Sequence, residues 1–203
     1  MDFSKFFSNT QEAPWYRSFL NPVINEITEG KLLDIGTGSG KLVQILSTEK
    51  EIDCIGIDTN ANMLNEARIK LKKTNVKLYK IKADTKLSFK ESSFDYITIC
   101  NVLFHLKKDS INIMLNNAQE LIKDSGKIII LTPTGKNNNF TLTKHFSFFK
   151  NFSIYIWFFA TKKKAKKWIN VNYLKQYAND KNLNYKSKTV MNGLAQLEII
   201  TIK

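Results

Sequence analysis

Residues 32–40 read LLDIGTGSG. An apolar run reaches Asp34 and then breaks into glycines at every second position, Gly36, Gly38 and Gly40. Glycine at this density lets a backbone turn sharply and come close to a ligand with no Cβ in the way. Three kinds of ligand compete for such a turn. A triphosphate loop closes on a Lys-Ser/Thr pair that puts a hydroxyl on magnesium; here Lys41 is followed by Leu42. A dinucleotide turn is spaced G-x-G-x-x-G. Here Lys41 occupies the position of that third glycine, and Asp34 puts an acid at the mouth where a pyrophosphate would lie. That leaves a ligand with a positive charge and no phosphate.

Outward from the turn, the chain alternates between two periods. Residues 31–35 form a short apolar strand, and a helix follows the glycines from about residue 40 to 50. IDCIGID (52–58) reads as a second strand and ANMLNEARIKLKK (61–73) as a helix with Met63, Leu64, Ala67 and Leu71 on one face. VKLYKIKAD (76–84) is a third strand and FDYITICNV (94–102) a fourth. SINIMLNNAQELIKD (110–124) is a helix stopped by Gly126, and GKIIILTP (126–133) is a fifth strand. Repeated strand–helix units imply a parallel sheet with helices on both faces. Residues 171–183 read as a further helix. Two strand-like runs then flank Asn192-Gly193, a hairpin signal. At the other end, residues 1–30 look helical, with an early cluster of Phe3, Phe6 and Phe7 and then Trp15, Phe19, Val23 and Ile27 at helical spacing.

LLDIGTGSG followed by GIDTNANMLNEA resembles the class I S-adenosylmethionine-dependent methyltransferases. ADTKLSFKESSFDYITICNVLFHL (83–106) is similar to the family stretch that runs from the adenine-binding acid to the active-site edge, and GKIIILTPT to its fifth strand. The detail looks closest to the branch that includes ubiquinone/menaquinone-biosynthesis and phospholipid-headgroup methyltransferases. The resemblance covers about residues 30–135. It implies a Rossmann-like, doubly wound α/β fold with seven strands, mostly parallel, whose last strand inserts antiparallel. It also implies one domain over residues 1–203, with an N-terminal helical lid (1–30) and a helical, aromatic-basic cap insert after strand five (136–170). The implied cofactor is S-adenosylmethionine, and no metal is called for.

The chemistry of that cofactor suits these residue types. Gly36, Thr37, Gly38 and Gly40 form the turn against the methionine portion, and the next helix N-terminus favours its carboxylate. Asp34 would hold the ammonium, directly or through water. Asp58, with Thr59 beside it, ends the second strand and would accept from the ribose hydroxyls. Asp84 would accept from the adenine amino group, with the Thr85 N–H adjacent. Met63 would neighbour the nucleoside, and Asn101 would face the methyl-donor region. Each acid also has a plainer reading: Asp34 as a turn cap, Asp58 as the cap of helix 61–73, Asp84 as a surface turn. All three nevertheless follow successive strands, at the carboxyl edge where open sheets bind ligands. His105, past Asn101, and Tyr16, in PWYRSF, are the candidates for a base or substrate contact and for closure over the site. His105 could instead simply pack beside Phe104 and Leu106, and His145 in the insert is a further candidate for touching substrate.

The insert is aromatic and then basic. FSFFKNFSIYIWFFA (146–160) leads directly into TKKKAKKW. Of the formal net charge of +13, residues from 141 on supply +10, from 12 Lys and no Arg against Asp180 and Glu198. An aromatic belt followed by lysines fits a cap over an apolar pocket, and it fits a contact with anionic headgroups. Either way it points to a small, hydrophobic or lipid-like acceptor. Nucleic acid is disfavoured, because NVLF stands where base-methylating relatives carry an Asn-Pro-Pro-aromatic motif. The competing class is a non-catalytic cofactor-binding regulator. The start shows no secretory pattern, and no run approaches the roughly 18 to 20 apolar residues of a spanning helix. Cys54 and Cys100 lie in apolar runs and read as core thiols. These features suggest the cytoplasm, with any membrane contact at its inner surface.

Overall fold

The computed structural model describes residues 10–136 and 151–203. Helix α1 (Pro14–Glu26) leads into β1 (Lys31–Ile35), α2 (Lys41–Glu49), β2 (Asp53–Asp58), α3 (Ala61–Lys70), β3 (Lys77–Lys80) and β4 (Phe94–Cys100). A 3-10 turn at Leu103–His105, α4 (Lys108–Leu121) and β5 (Ile122–Pro133) follow. The chain closes with α5 (Phe152–Val171), α6 (Tyr173–Asp180), β6 (Asn184–Val190) and β7 (Ala195–Thr201). The sheet has seven strands in the order β3-β2-β1-β4-β5-β7-β6, and β7 alone runs antiparallel to its neighbours. Strand order reverses between β1 and β4, so the carboxyl ends of those two strands border the crevice where such sheets take ligands.

Alternation along the strands builds two cores. Leu32, Ile129 and Leu131 face α1, α2 and the start of α5. Leu33, Ile35, Ile128 and Ile130 face α4, α6 and the end of α5. Successive strand residues point to opposite faces, and with helices on both sides the central strands β1, β2, β4 and β5 are largely apolar, while the edge strands β3 and β6 are mostly polar and exposed. Asp34 and Thr98 are polar exceptions in the central strands: paired in register on β1 and β4, they are buried on the α1 side.

Two boundaries differ from the sequence reading. β3 ends at Lys80 rather than 84, because residues from Ile81 leave the sheet to wall the cavity. Helix α4 stops at Leu121 rather than 124, and β5 starts at Ile122 rather than at Gly126. Ile122 pairs with Phe94 and Lys127 with Tyr96, so residues 123–126 form an irregularity in the ladder. Gly126 is required there, since a Cβ would lie 2.9 Å from the Asp95 carbonyl oxygen. The basic stretch of the insert is helical, as expected. It belongs to the 20-residue helix α5, whose Trp157 packs at a tilt against Trp15 (5.1 Å) and meets Phe19 edge-on (5.3 Å). The Trp15 indole N–H donates to the Ser153 hydroxyl at 2.8 Å, which ties α1 to α5. Phe3, Phe6, Phe7 and His145 lie outside the described residues.

Candidate functional site

The turn after β1 is held by its own backbone. Gly36 and Thr37 N–H both donate to the Ile57 carbonyl (2.8 and 3.0 Å), and Gly40 N–H donates to Thr37 O. Gly38 N–H donates to the Asp58 carboxylate at 2.9 Å, and Ser39 N–H to Gln11 Oε1 at 3.0 Å. Every N–H from Gly36 to Gly40 therefore has a protein partner. A pyrophosphate cradle needs such groups pointing free at the ligand, so this turn is built for close approach and not for phosphate. Gly36 has φ +78°, and a Cβ there would lie 2.5 Å from Val102 Cγ2. Both constraints exclude a larger residue.

Beside this turn opens a cavity of about 490 Å³, within the usual range for small-molecule sites. Gly36, Asp58, Thr59, Asp84, Thr85, Asn101 and His105 all line it. Asp58 Oδ1 accepts from Asn60 N–H (2.8 Å) while Oδ2 holds Gly38. Asp58 is not the helix cap: Asn60 caps α3, its Oδ1 accepting from Asn62 and Met63 N–H. Asp84 lies on the loop after β3 with φ +57°, a left-handed backbone unusual for a residue with a side chain. Asn101 directly follows β4 at φ +60°, and its Oδ1 is buried without a hydrogen-bond partner among the described residues. A buried acceptor left open beside a cavity points to a ligand.

The other expected residues sit off this cavity. Asp34 is 3% exposed and accepts from the Thr98 hydroxyl at 2.7 Å. Burial pushes its carboxyl up to about 6, against the pull of that hydrogen bond. It borders a separate void of about 10 Å³ with Thr37, Tyr16 and Cys100, which meets the main cavity's wall at Gly36. That volume suits a single water. Tyr16 is buried, which drives its hydroxyl pKa far upward. Gly38 packs under Gln11 and Met63, and Gly40 against Leu71 and Ala67, as spacers between turn and helices. Met63 is a buried residue of α3 and not a cavity wall. Burial raises the thiols of Cys54, to about 12, and Cys100.

His105 lies on the 3-10 turn with its ring centroid 4.0 Å from that of Phe104, and it also lines the cavity. The residue is exposed, yet partial desolvation of its ring, and then the Lys164 ammonium of α5, lower its pKa, so the ring is neutral at pH 7. Three residues near the site had no role in the sequence reading. Gln11 bridges to Ser39 through its side chain, and Glu12 pairs with Lys41 (2.7 Å) and Lys70, pinning the N-terminal segment onto the turn. Asn117, a polar residue within the apolar stripe of α4, lines the cavity from below. That break in the stripe was visible in the sequence. Gln11 and Glu12 carried no comparable signal.

Residues 32–126 match the family model described as a methyltransferase domain. Over 141 residues the chain is 28% identical to a probable polyketide synthase 42 of Dictyostelium discoideum, a match covering 58% of this chain and 5% of that protein. The fold is similar to that of a SAM-dependent methyltransferase from Aquifex aeolicus (TM-score 0.70, 19% identity, 100% of both chains). It is likewise similar to phosphoethanolamine N-methyltransferase 2 of Haemonchus contortus, solved with S-adenosyl-L-methionine (TM-score 0.68, 15% identity, 98% of this chain and 56% of that one). At these identities the structural likeness is one of fold.

Proposed function

We propose that this chain, whose residues 32–126 match a methyltransferase domain, is a class I, S-adenosylmethionine-dependent methyltransferase that transfers a methyl group from that cofactor to a small, hydrophobic or lipid-like acceptor. One observation carries the cofactor reading. Asp58, Asp84 and Asn101, from the ends of three successive strand units, converge on one cavity beside a glycine turn whose N–H groups are already engaged.

The residues fit the group. Asp58 would accept from the ribose hydroxyls with the lone pairs that Gly38 and Asn60 leave free. Asp84 would accept from the adenine amino group, and the Thr85 N–H would donate to the ring. The open Asn101 Oδ1 would take a donor from the amino-acid end. Asp34 would hold the ammonium through the water-sized void, because a cation there favours its ionised form. The bound cofactor supplies a methyl on a sulfonium that is already activated by its charge. The chain's task is alignment of the acceptor and exclusion of water. His105, neutral and facing the cavity, would take a proton from an acceptor that must lose one. Tyr16 and α1, pinned to the turn through Gln11 and Glu12, would shut the methionine end from solvent.

The acceptor class rests on the cavity wall and on α5. Val102, Leu106, Ile113 and Met114 make one side of the cavity apolar. On α5, Phe152 and Phe159 are more than half exposed. Lys163, Lys164, Lys166 and Lys167 make no ion pair with an acid among the described residues. Such a face favours anionic headgroups at roughly 1 kcal/mol per lysine near the surface, which would bring the protein to a lipid-like acceptor. A labelled-methyl assay on cell extract separated into lipid, nucleic-acid and soluble pools tests the reading. Label in the lipid pool supports it, and label in nucleic acid alone refutes the acceptor class. Sedimentation with anionic vesicles, reversed by salt and lost when those four lysines become Ala, supports the surface contact. Indifference to vesicles removes it.

A further inference from the structure

The loop from Ile81 to Leu87 brings Asp84 and Thr85 to the cavity with no regular secondary structure of its own. Asp84 stands in left-handed backbone there, a conformation that persists only where surroundings enforce it. Asn117 of α4 supplies the enforcement. Its Oδ1 accepts from Leu87 N–H at 2.9 Å. Its Nδ2 donates to the Thr85 carbonyl at 3.1 Å and to the Ile113 carbonyl at 3.0 Å. The side chain thus grips the loop on both sides of Lys86. These partners also fix which end of the amide is nitrogen.

Asn117 is 7% exposed, on the helix side that buries Ile111, Leu115, Ala118 and Leu121. A polar side chain there costs stability unless its hydrogen bonds are made, and mid-helix Asn is a weak helix former. A Leu would serve the core better, so what Asn117 adds is the loop's geometry. We propose that Asn117 is the positioning residue for the nucleoside end of the cofactor site: by clamping Thr85 and Leu87 it fixes where the Asp84 carboxylate and the Thr85 N–H meet the adenine. This rests on the cofactor reading above, and it adds a determinant of nucleoside affinity that does not itself touch the reacting atoms.

The test uses Asn117→Asp, which keeps an acceptor for Leu87 but turns an oxygen toward two carbonyls, and Asn117→Leu, which removes both grips. Calorimetry compares S-adenosylhomocysteine with 5′-methylthioadenosine, which has the nucleoside but no amino acid. Both probes should weaken by the same factor, about tenfold or more, as for loss of one or two buried hydrogen bonds. Without any ligand, amide exchange at Leu87 should speed up in Asn117→Leu while β5 keeps its protection. An Asp34→Asn variant should weaken only the homocysteine probe. Variants that melt cooperatively, bind methylthioadenosine like the wild type and keep Leu87 protected would overturn the proposal alone. A wild type that binds neither probe would overturn it together with the cofactor reading.

Discussion

Replacing Asp34 by Asn should move stability and ligand affinity in opposite directions. The carboxyl sits at 3% exposure with its pKa raised to about 6, against 3.8 for the free side chain. Between these values the folded protein holds a proton that the unfolded chain has released. Stability therefore falls as pH rises from about 4 to about 6, and the full penalty is present at neutral pH. The shift of about two units corresponds to roughly 3 kcal/mol at pH 7.5. Asn keeps an oxygen to accept from the Thr98 hydroxyl and carries no charge to bury. Asp34→Asn should gain up to that amount at pH 7.5, a rise in Tm of roughly 6 to 12 °C for a chain of this size, and gain nothing at pH 3.5. The cofactor's ammonium would lose its counter-charge, so S-adenosylhomocysteine should bind at least tenfold more weakly, as for a charged hydrogen bond. In the wild type, affinity should fall about tenfold per unit below pH 6 as Asp34 takes up its proton. Thermal melts at the two pH values and calorimetry at pH 7.5 read all three quantities. A variant less stable at pH 7.5, or one that binds as tightly as the wild type, would refute the reasoning.

Three further perturbations probe other parts of the account. Asp58→Ala should weaken S-adenosylmethionine by roughly 1 to 3 kcal/mol in calorimetry, because it also releases Gly38 N–H; unchanged affinity removes Asp58 from the site. Trp157→Ala should cost about 3 to 5 kcal/mol in a urea melt, since Trp157 is 2% exposed between Trp15 and Phe19, while Phe159→Ala, at 54% exposure, should cost under about 1 kcal/mol; similar losses for both contradict the packing of α5. If His105 is the base, the acid limb of the activity–pH profile lies below the ordinary imidazole value and moves upward in Lys164→Ala; a limb that stays in place, or that survives in His105→Asn, excludes it.

Legibility in the sequence followed how local each cause is. The glycine turn and the order of strands could be read because Gly36, Gly38 and Gly40 and the apolar runs are contiguous signals. The hairpin signal at Asn192-Gly193, where both residues have positive φ, marked the pairing of β6 with β7, while the antiparallel insertion of the last strand was what the family resemblance implied. Asp58, Asp84 and Asn101 could be named from their places at strand ends, and they share a cavity. The direction in which aromatic residues face is not a local property. Tyr155, Trp157, Phe158 and Trp168 were equally consistent with a pocket wall or a membrane belt, and they are buried against the two cores instead. The extent of β3 was misjudged because VKLYKIKAD keeps strand-like alternation past Lys80, where the backbone has already turned to carry Asp84. The docking of Gln11 and Glu12 depends on Ser39, Lys41 and Lys70, about 30 to 60 positions away, and nothing in their own neighbourhood announces it.

A crystal structure of the protein soaked with S-adenosylmethionine tests the central claim most directly. The account predicts ribose hydroxyls on the Asp58 carboxylate, adenine against Asp84 and Thr85, and the amino-acid end beside Gly36 and Asn101. Density for the ligand elsewhere, or none at millimolar concentration with those carboxylates turned to solvent, would contradict it.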